Sequence, residues 1–448
     1  MSENMKASGI AWIGDIPESW SIKRVKYLAT LKGRIGWQGL TSDEYTDEGP
    51  YLITGIDFEN GKVNWDNCVH ISRERWEEAT EIQIQNGDLL ITKDGTVGKV
   101  AIVSELNELA SLNSGVLVIR TNSDFDRRFL FWVLQSEEFW VWFRLKNAGN
   151  STIIHLYQND FAEFCYTYPK TIEQTLIADF LDEQCEKIDN IATDIENQIE
   201  ILQKYKKSLI TETVTKGLDK SVSMKDSGIE WIGDIPEHWE VKRMQDIGTY
   251  KKGPFGSSIT LDMFVDKDET TIKVYEQKNA IQGDATLGWY YISYLDYKNL
   301  KDFEVFSGDI IVSCAGTMGK CYIMPTRMEK GIINQALMKI TLLSSMEKQY
   351  FLYLFDIELE YMTEKYSNGS AIKNIPPFSV LKKENIPLPQ FYEQSQIAEY
   401  LDEQCSKIDS IIESKKEQLT KITQHKKSLI YEYVTGKKRV KGANINGN

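Results

Sequence analysis

The sequence predicts a mixed α/β protein with two tandem globular domains and two long helices, the helices paired as an antiparallel coiled coil about a pseudo-two-fold axis. Three observations predict this. The chain repeats itself at an offset near 220 residues, the middle of each repeat is a series of short β-branched runs, and each repeat ends in a heptad pattern.

The repeat is plain at its ends. Residues 9–24 read GIAWIGDIPESWSIKR and residues 228–243 read GIEWIGDIPEHWEVKR, with twelve of sixteen positions identical at an offset of 219. QTLIADFLDEQCEKIDNI (174–191) matches QSQIAEYLDEQCSKIDSI (394–411) at an offset of 220, and KKSLI occurs at 206–210 and 426–430. The middles diverge but keep traces: GDLLITKDGTVGKVAIV (87–103) parallels GDIIVSCAGTMGKCYIM (308–324), and Asn113 aligns with Asn334. Matched ends around unmatched middles predict one scaffold carrying two different surfaces. Simple drift after duplication would not spare both ends of both copies.

Taken in order, the chain divides into a first domain (1–172), a long helix (173–215), a linker (216–226), a second domain (227–392), a second long helix (393–435) and a flexible tail (436–448). Each domain opens with paired tryptophans, Trp12 and Trp20 or Trp231 and Trp239, in a Gly/Pro-bearing segment of loop and short strand. Their expected job is packing. Short Gly-bounded strands follow at 51–58, 88–93, 99–103 and 115–120, and at 271–277, 309–314, 321–324 and 336–343. An aromatic helix comes next, over 129–145 and 350–366.

In the first long helix, Leu181, Cys185, Ile188, Ala192, Ile195, Ile199, Leu202, Lys206 and Leu209 alternate at spacings of four and three. In the second, Leu401, Cys405, Ile408, Ile412, Lys415, Leu419, Ile422, Lys426 and Leu429 keep the same register. Some forty residues at 1.5 Å each make a rod of about 60 Å. Its apolar stripe needs a partner, and the equivalent helix of the other repeat is the nearest.

Composition narrows the function. The 448 residues carry a net charge of −14, with 42% hydrophobic and 26% charged, which excludes wholesale disorder. Six cysteines without a CxxC pair and four histidines exclude a disulfide scaffold and a zinc site. No apolar run approaches a membrane span, and MSENMKASGI lacks the pattern of a secretory signal, so a cytoplasmic protein is expected.

Three motifs, each present twice, carry a family resemblance: W-I-G-D-I-P-E-x-W-x-x-K-R from Trp12 and Trp231, I-A-x-x-L-D-x-x-x-x-K-I-D from Ile177 and Ile397, and K-K-S-L-I-x-E-x-V-T from Lys206 and Lys426. Over about residues 8–440 the chain resembles the specificity (S) subunit of type I restriction–modification enzymes. The resemblance implies two target-recognition domains, each reading one half of a split DNA sequence. It implies two helices that act as a ruler and dock the methyltransferase subunits. It also implies no catalysis by this chain itself. The partners implied are double-stranded DNA, two methyltransferase subunits and, if a nuclease partner exists, two restriction subunits, with no membrane. No cofactor belongs to this chain. The complex is expected to use S-adenosylmethionine, and ATP with Mg where a restriction subunit is present.

The motifs closest to catalytic ones are incomplete. Asn374-Ile375-Pro376-Pro377-Phe378 is close to the Asn-Pro-Pro-Phe signature of adenine methyltransferases, but Ile375 breaks its spacing and no Gly-rich cofactor loop lies upstream. Gly95–Lys99 and Gly316–Lys320 lack the four residues between glycines and the Ser or Thr after Lys that a phosphate loop needs, so they are expected to be tight turns. A duplicated coiled-coil adaptor for proteins is the alternative from another class, disfavoured because both openings and both helix ends match one family.

Reading DNA needs donors and acceptors at base edges and cations on phosphates. Three places in each repeat supply them. The Gly-rich segment after the opening offers Lys32, Arg34, Trp37 and Gln38, or Lys251, Lys252, Ser257 and Ser258. The Gly-Thr-x-Gly turn and its neighbour offer Lys99, Asn113 and Ser114, or Lys320, Asn334 and Gln335. The loop after the aromatic helix offers Asn150, Ser151, Thr152, His155 and Gln158, or Ser370, Lys373 and Asn374, and matches the family's Gly-Ser-type loop. Taken singly, such residues also suit solvated turns. With a charge of −14 the chain is expected to grip phosphates poorly alone, leaving its partners to supply cations.

Overall fold

The computed structural model describes residues 4–34, 40–123, 125–148, 154–366 and 378–440. The chain forms two compact units, but the division is not linear. The first unit takes residues 1–197 together with 415–448, and the second takes 198–414. Each globular domain therefore holds the start of one long helix and the end of the other.

The first unit is built on a four-stranded antiparallel sheet in the order Val100–Ile102, Leu89–Thr92, Val116–Thr121, Ala29–Gly33. The residues Leu89, Leu90 and Ile91, and Val116 to Ile119, are buried on both faces, which is why they read as unbroken apolar runs. One face of this sheet packs on the aromatic helix, and the other on a three-stranded sheet of Ala110–Leu112, Tyr45–Ile53 and Val69–Ile71. The second unit repeats the four-stranded sheet as Gly248–Lys252, Leu337–Leu342, Ile310–Ser313 and Cys321–Ile323, backed by a five-stranded sheet.

The aromatic helix expected over 129–145 is two helices, Arg127–Gln135 and Glu137–Asn147. Ser136 breaks it: its backbone is extended and its hydroxyl donates to the Val133 carbonyl at 2.6 Å. Glu137 and Glu138 then occupy the first turn of the next helix, where acidic residues suit the dipole. The second repeat has no such break and forms one continuous helix, Lys348–Tyr366.

The long helices run Thr171–Lys216 and Phe391–Val434. Every seam position, from Leu181 to Leu209 and from Leu401 to Leu429, is buried or half-buried. Within the first unit the two helices are antiparallel: Phe180 lies against Tyr433 with ring centroids 4.4 Å apart, and Asp189 accepts from Lys426 at 2.6 Å. The second unit pairs Lys206 with Asp409 at 2.7 Å in the same antiparallel sense. Lys207 reaches Glu360, so these lysines are engaged by carboxylates. Each exposed pair contributes less than about 1 kcal/mol. Lys426→Ala is accordingly expected to lower the melting temperature by only about one or two degrees, and a larger drop in calorimetry would mean that the pair carries the seam.

Each core contains an opening tryptophan, the aromatic helix and both long helices. In the first, Trp20, Phe129, Phe139, Leu181 and Cys185 meet Ile430 and Val434. In the second, Trp239, Tyr350, Leu401 and Cys405 meet Ile210 and Val214. Buried Glu173 and Gln174, and their equivalents Glu393 and Gln394, anchor the helix starts. Glu173 accepts from Trp20 Nε1 at 2.9 Å and Glu393 from Trp239 Nε1 at 3.0 Å. Gln394 donates to the Ser345 and Pro389 carbonyls and accepts from the Glu347 amide.

The tail expected to fray from Gly436 is tied down at its start. Gly436 lies against Pro17 and Trp20, Lys437 Nζ donates to the Ile13 carbonyl at 2.8 Å, and Arg439 pairs with Glu173. Burial of the helix end against the first domain holds it; residues 441–448 lie outside the described residues. The same device recurs in the second unit, where Lys216 Nζ donates to the Ile232 carbonyl at 2.8 Å.

Two carboxyls stand out in this scaffold. Glu138 and Glu358, each on the aromatic helix of its unit, are 0% and 1% exposed. Among the described residues neither carboxylate makes a well-formed hydrogen bond. Burial pushes Glu138 up to about 8 against the pull of the Thr167 amide and Lys437. Burial, then the charge of Glu384, pushes Glu358 up to about 8 as well.

Candidate nucleic-acid interface

In each unit the loops singled out by their polar residues meet at one end of the four-stranded sheet. Strand direction decides this. Ala29–Gly33 and Leu89–Thr92 end where Val116–Thr121 begins, so the loops after Gly33, after Thr92 and before Val116 share an edge. Hydrogen bonds knit them: Lys93 N–H donates to Gly115 O at 2.8 Å, Leu156 N–H to Lys93 O at 2.9 Å, and Gln158 Nε2 to Leu31 O at 3.1 Å. In the second unit Gly253 N–H donates to Leu337 O and Cys314 N–H to Ala336 O, both at 2.9 Å.

The Gly-Thr-x-Gly segments are turns, built alike. Thr92 Oγ1 donates to the Thr96 carbonyl and accepts from Lys99 N–H; Ser313 Oγ donates to the Thr317 carbonyl at 2.7 Å and accepts from Lys320 N–H at 3.0 Å. Gly98 has φ +85° and lies against the Trp140 ring, which a side chain would strike. The turns project Lys99 and Lys320 into solvent. Among the described residues, Lys93, Lys99, Lys252 and Lys320 have no ion-pair partner. In an acidic chain, cations at this sheet end are available to phosphates.

Not every expected residue is presented. Arg34 is a correction: it is 3% exposed, and its guanidinium donates to Leu112 O at 2.8 Å and Ser111 Oγ at 3.0 Å. Burial, reinforced by Arg75, holds its pKa below the ordinary value. It fastens the end of the Ala29–Gly33 strand to the second layer and is not offered to a ligand. Lys32 is exposed but paired with Glu81 at 2.9 Å. Asn113 turns its carbonyl on to the Ser114 hydroxyl at 3.1 Å, and Asn334 turns its own to the Ala336 amide at 3.0 Å, so these acceptors serve their turns. His155 Nδ1 meets the Asp94 carboxylate, and its ring lies tilted against Tyr157 with centroids 4.4 Å apart. Ser114, Ser257 and Gln335 are exposed at the sheet end, and Ser258 is half-exposed there. Trp37, Gln38, Asn150, Ser151, Thr152, Ser370, Lys373 and Asn374 lie outside the described residues, as does most of the Asn374–Phe378 stretch.

The second domain also presents residues that the sequence reading missed. Phe255 is 87% exposed, and Trp289 is 76% exposed with the Lys278 ammonium 4.5 Å above its ring. Gln277 accepts from the Ala315 amide at 3.0 Å, which ties this segment to the Lys320 turn. The available signal was an aromatic beside Gly and Lys in a loop, a pattern common in ordinary turns. Among the described residues no cluster of metal-binding side chains occurs, and no helix is long and apolar enough to cross a membrane.

Two copies of one α/β scaffold, each presenting a different set of cations, amides and hydroxyls at the same end of its sheet, define a bipartite recognition protein. The chain belongs to the type I restriction–modification specificity family: the family model for the type I restriction modification DNA specificity domain matches residues 17–201 and again 236–424. The chain is 28% identical over 445 residues to the type I restriction enzyme MjaVIII specificity subunit of Methanocaldococcus jannaschii, covering 96% of this chain and 95% of that one. In fold it is similar to a solved chain from work on assembly and conformational transition of the type I R-M system, with TM-score 0.69, 14% identity and coverage of 94% and 98%. It is also similar to the HsdS subunit of Thermoanaerobacter tengcongensis, with TM-score 0.51, 16% identity and the same coverage.

Proposed function

We propose that this chain is the DNA-specificity subunit of a type I restriction–modification complex. Each domain reads one half of an asymmetric bipartite target through the loops at its sheet end. The observation that carries this is the convergence, on both scaffolds, of unpaired cations with different polar side chains. Cations position the duplex, and the differing side chains select different bases. The long helices carry two methyltransferase subunits, and restriction subunits where the system has them; the reaction on adenine belongs to those partners. Lys99, Ser114, His155 and Gln158 serve the first half-site, and Lys252, Ser257, Ser258, Lys320 and Gln335 the second.

The paired helices act as the ruler between half-sites; half-sites one helical turn of DNA apart, about 34 Å, would lie on one face of the duplex. Co-expression with the methyltransferase subunits, followed by mapping of methylated adenines, is expected to return an asymmetric split motif that disappears without this chain. One heptad added to both helices lengthens them by about 10 Å, roughly three base pairs. The spacer is then expected to lengthen while the half-site bases stay the same. An unchanged spacer would remove the ruler, and methylation independent of the chain would remove the reading as a whole.

A further inference from the structure

Phe255 stands almost wholly in water although its neighbours Pro254 and Ile259 are buried. It rims a cavity of about 420 Å³, whose other walls include Phe303, Lys251, Lys252 and Gln335. Gly253 makes this possible. A side chain there would collide with the Asn334 carbonyl, so only glycine lets the Phe255 loop close on Asn334–Gln335. The cavity therefore joins an exposed phenyl ring to an exposed amide. Among the described residues the Gln335 side chain has no hydrogen-bond partner. Lys251 sits 5.1 Å above Phe303 and reaches Asp302 at 3.4 Å, while Lys252 is unpaired among the described residues.

An amide beside an apolar ring is complementary to one base pair in particular. In the major groove an A·T pair shows an acceptor and a donor on adenine, N7 and N6, next to the thymine methyl group; a G·C pair has no methyl. The free cation at the cavity rim suits the flanking phosphates. We infer that Gln335 and Phe255 together read one A·T pair in the half-site of the second domain, with Gln335 bidentate on adenine and Phe255 against the thymine methyl. This rests on the DNA reading proposed above and adds to it a particular base pair.

The test uses the full chain in its complex with the methyltransferase subunits. Methylated sites are mapped for the wild type, Phe255→Ala, Phe255→Leu and Gln335→Ala. Binding is then measured on duplexes carrying uracil in place of each thymine of that half-site. The expected result is that one A·T position, other than the modified adenine's, becomes degenerate in Phe255→Ala and Gln335→Ala but persists in Phe255→Leu. Loss of that thymine methyl should weaken the wild type roughly tenfold and leave Phe255→Ala unaffected. A half-site without such an A·T pair, or variants that keep the full requirement, overturns the inference while a wild-type split motif leaves the DNA reading standing. If the wild-type complex shows no split motif, the DNA reading itself fails, whatever the variants do.

Discussion

Glu138→Gln is expected to raise the melting temperature at pH 8 and to leave it nearly unchanged at pH 5, and Glu358→Gln to do the same in the other unit. The folded carboxyl binds its proton up to about pH 8, whereas the unfolded chain releases it near the ordinary value of 4.5. Between those values the folded state holds more protons than the unfolded one, so stability falls as pH rises through that window. Below it the carboxyl is neutral in both states and costs nothing of this kind. Above it the protein must either carry a buried unpaired charge or pay to hold a proton. Over the whole window the loss is on the order of 4 kcal/mol per site, since one pKa unit corresponds to about 1.4 kcal/mol. An amide of the same shape cannot ionise, so its melting curve should be flatter across pH. Calorimetry of the full chain from pH 5 to pH 8 measures this, and parallel wild-type and variant profiles would show that these carboxyls are hydrated in solution.

Trp239→Ala is expected to be among the most damaging single substitutions in the second unit. The indole is 1% exposed, donates to Glu393 and covers Gly217 just beyond the first long helix. Truncating a buried tryptophan costs roughly 3–5 kcal/mol in lost contact and cavity. It also strips the half-buried Glu393 of its indole donor, leaving His238 as the remaining partner of that carboxylate among the described residues. Hydrogen exchange should accelerate over residues 210–217, where the helix end rests on this ring. Trp289→Ala, at an exposed ring, should by contrast move stability by no more than about 0.5 kcal/mol. Equal effects of the two substitutions would contradict the packing role of the opening tryptophans.

The duplication, the strand runs and the helix seam were legible because each is a local or periodic pattern. Leu181, Ile188 and Ile195 announce a buried stripe whatever they face, and Leu89–Thr92 announces a strand buried on both sides. Arg34 was misread because an arginine beside glycine in a loop looks like a phosphate contact. Nothing nearby in sequence shows that Ser111 and Leu112, almost eighty residues on, will receive it. The break at Ser136 had a faint local signal, a serine followed by two glutamates, overshadowed by the aromatic run on both sides. Phe255 had only an uninformative one, an aromatic beside Gly and Lys in a loop, since exposure is decided by what fails to pack on a residue.

From the sequence alone came the class of protein: two diverged copies of a unit that ends in a heptad rod, with motifs placing it in one family and no constellation for catalysis. The tertiary structure decided the rest. It folded the chain's last turns on to the first domain's Trp20, so that the units are not the linear halves. It also gathered loops from three separate stretches on to one sheet end. Both outcomes depend on contacts between residues far apart in sequence, whose burial and hydrogen bonding are set by strand direction and helix pairing, and no local pattern encodes which distant partner a residue will meet.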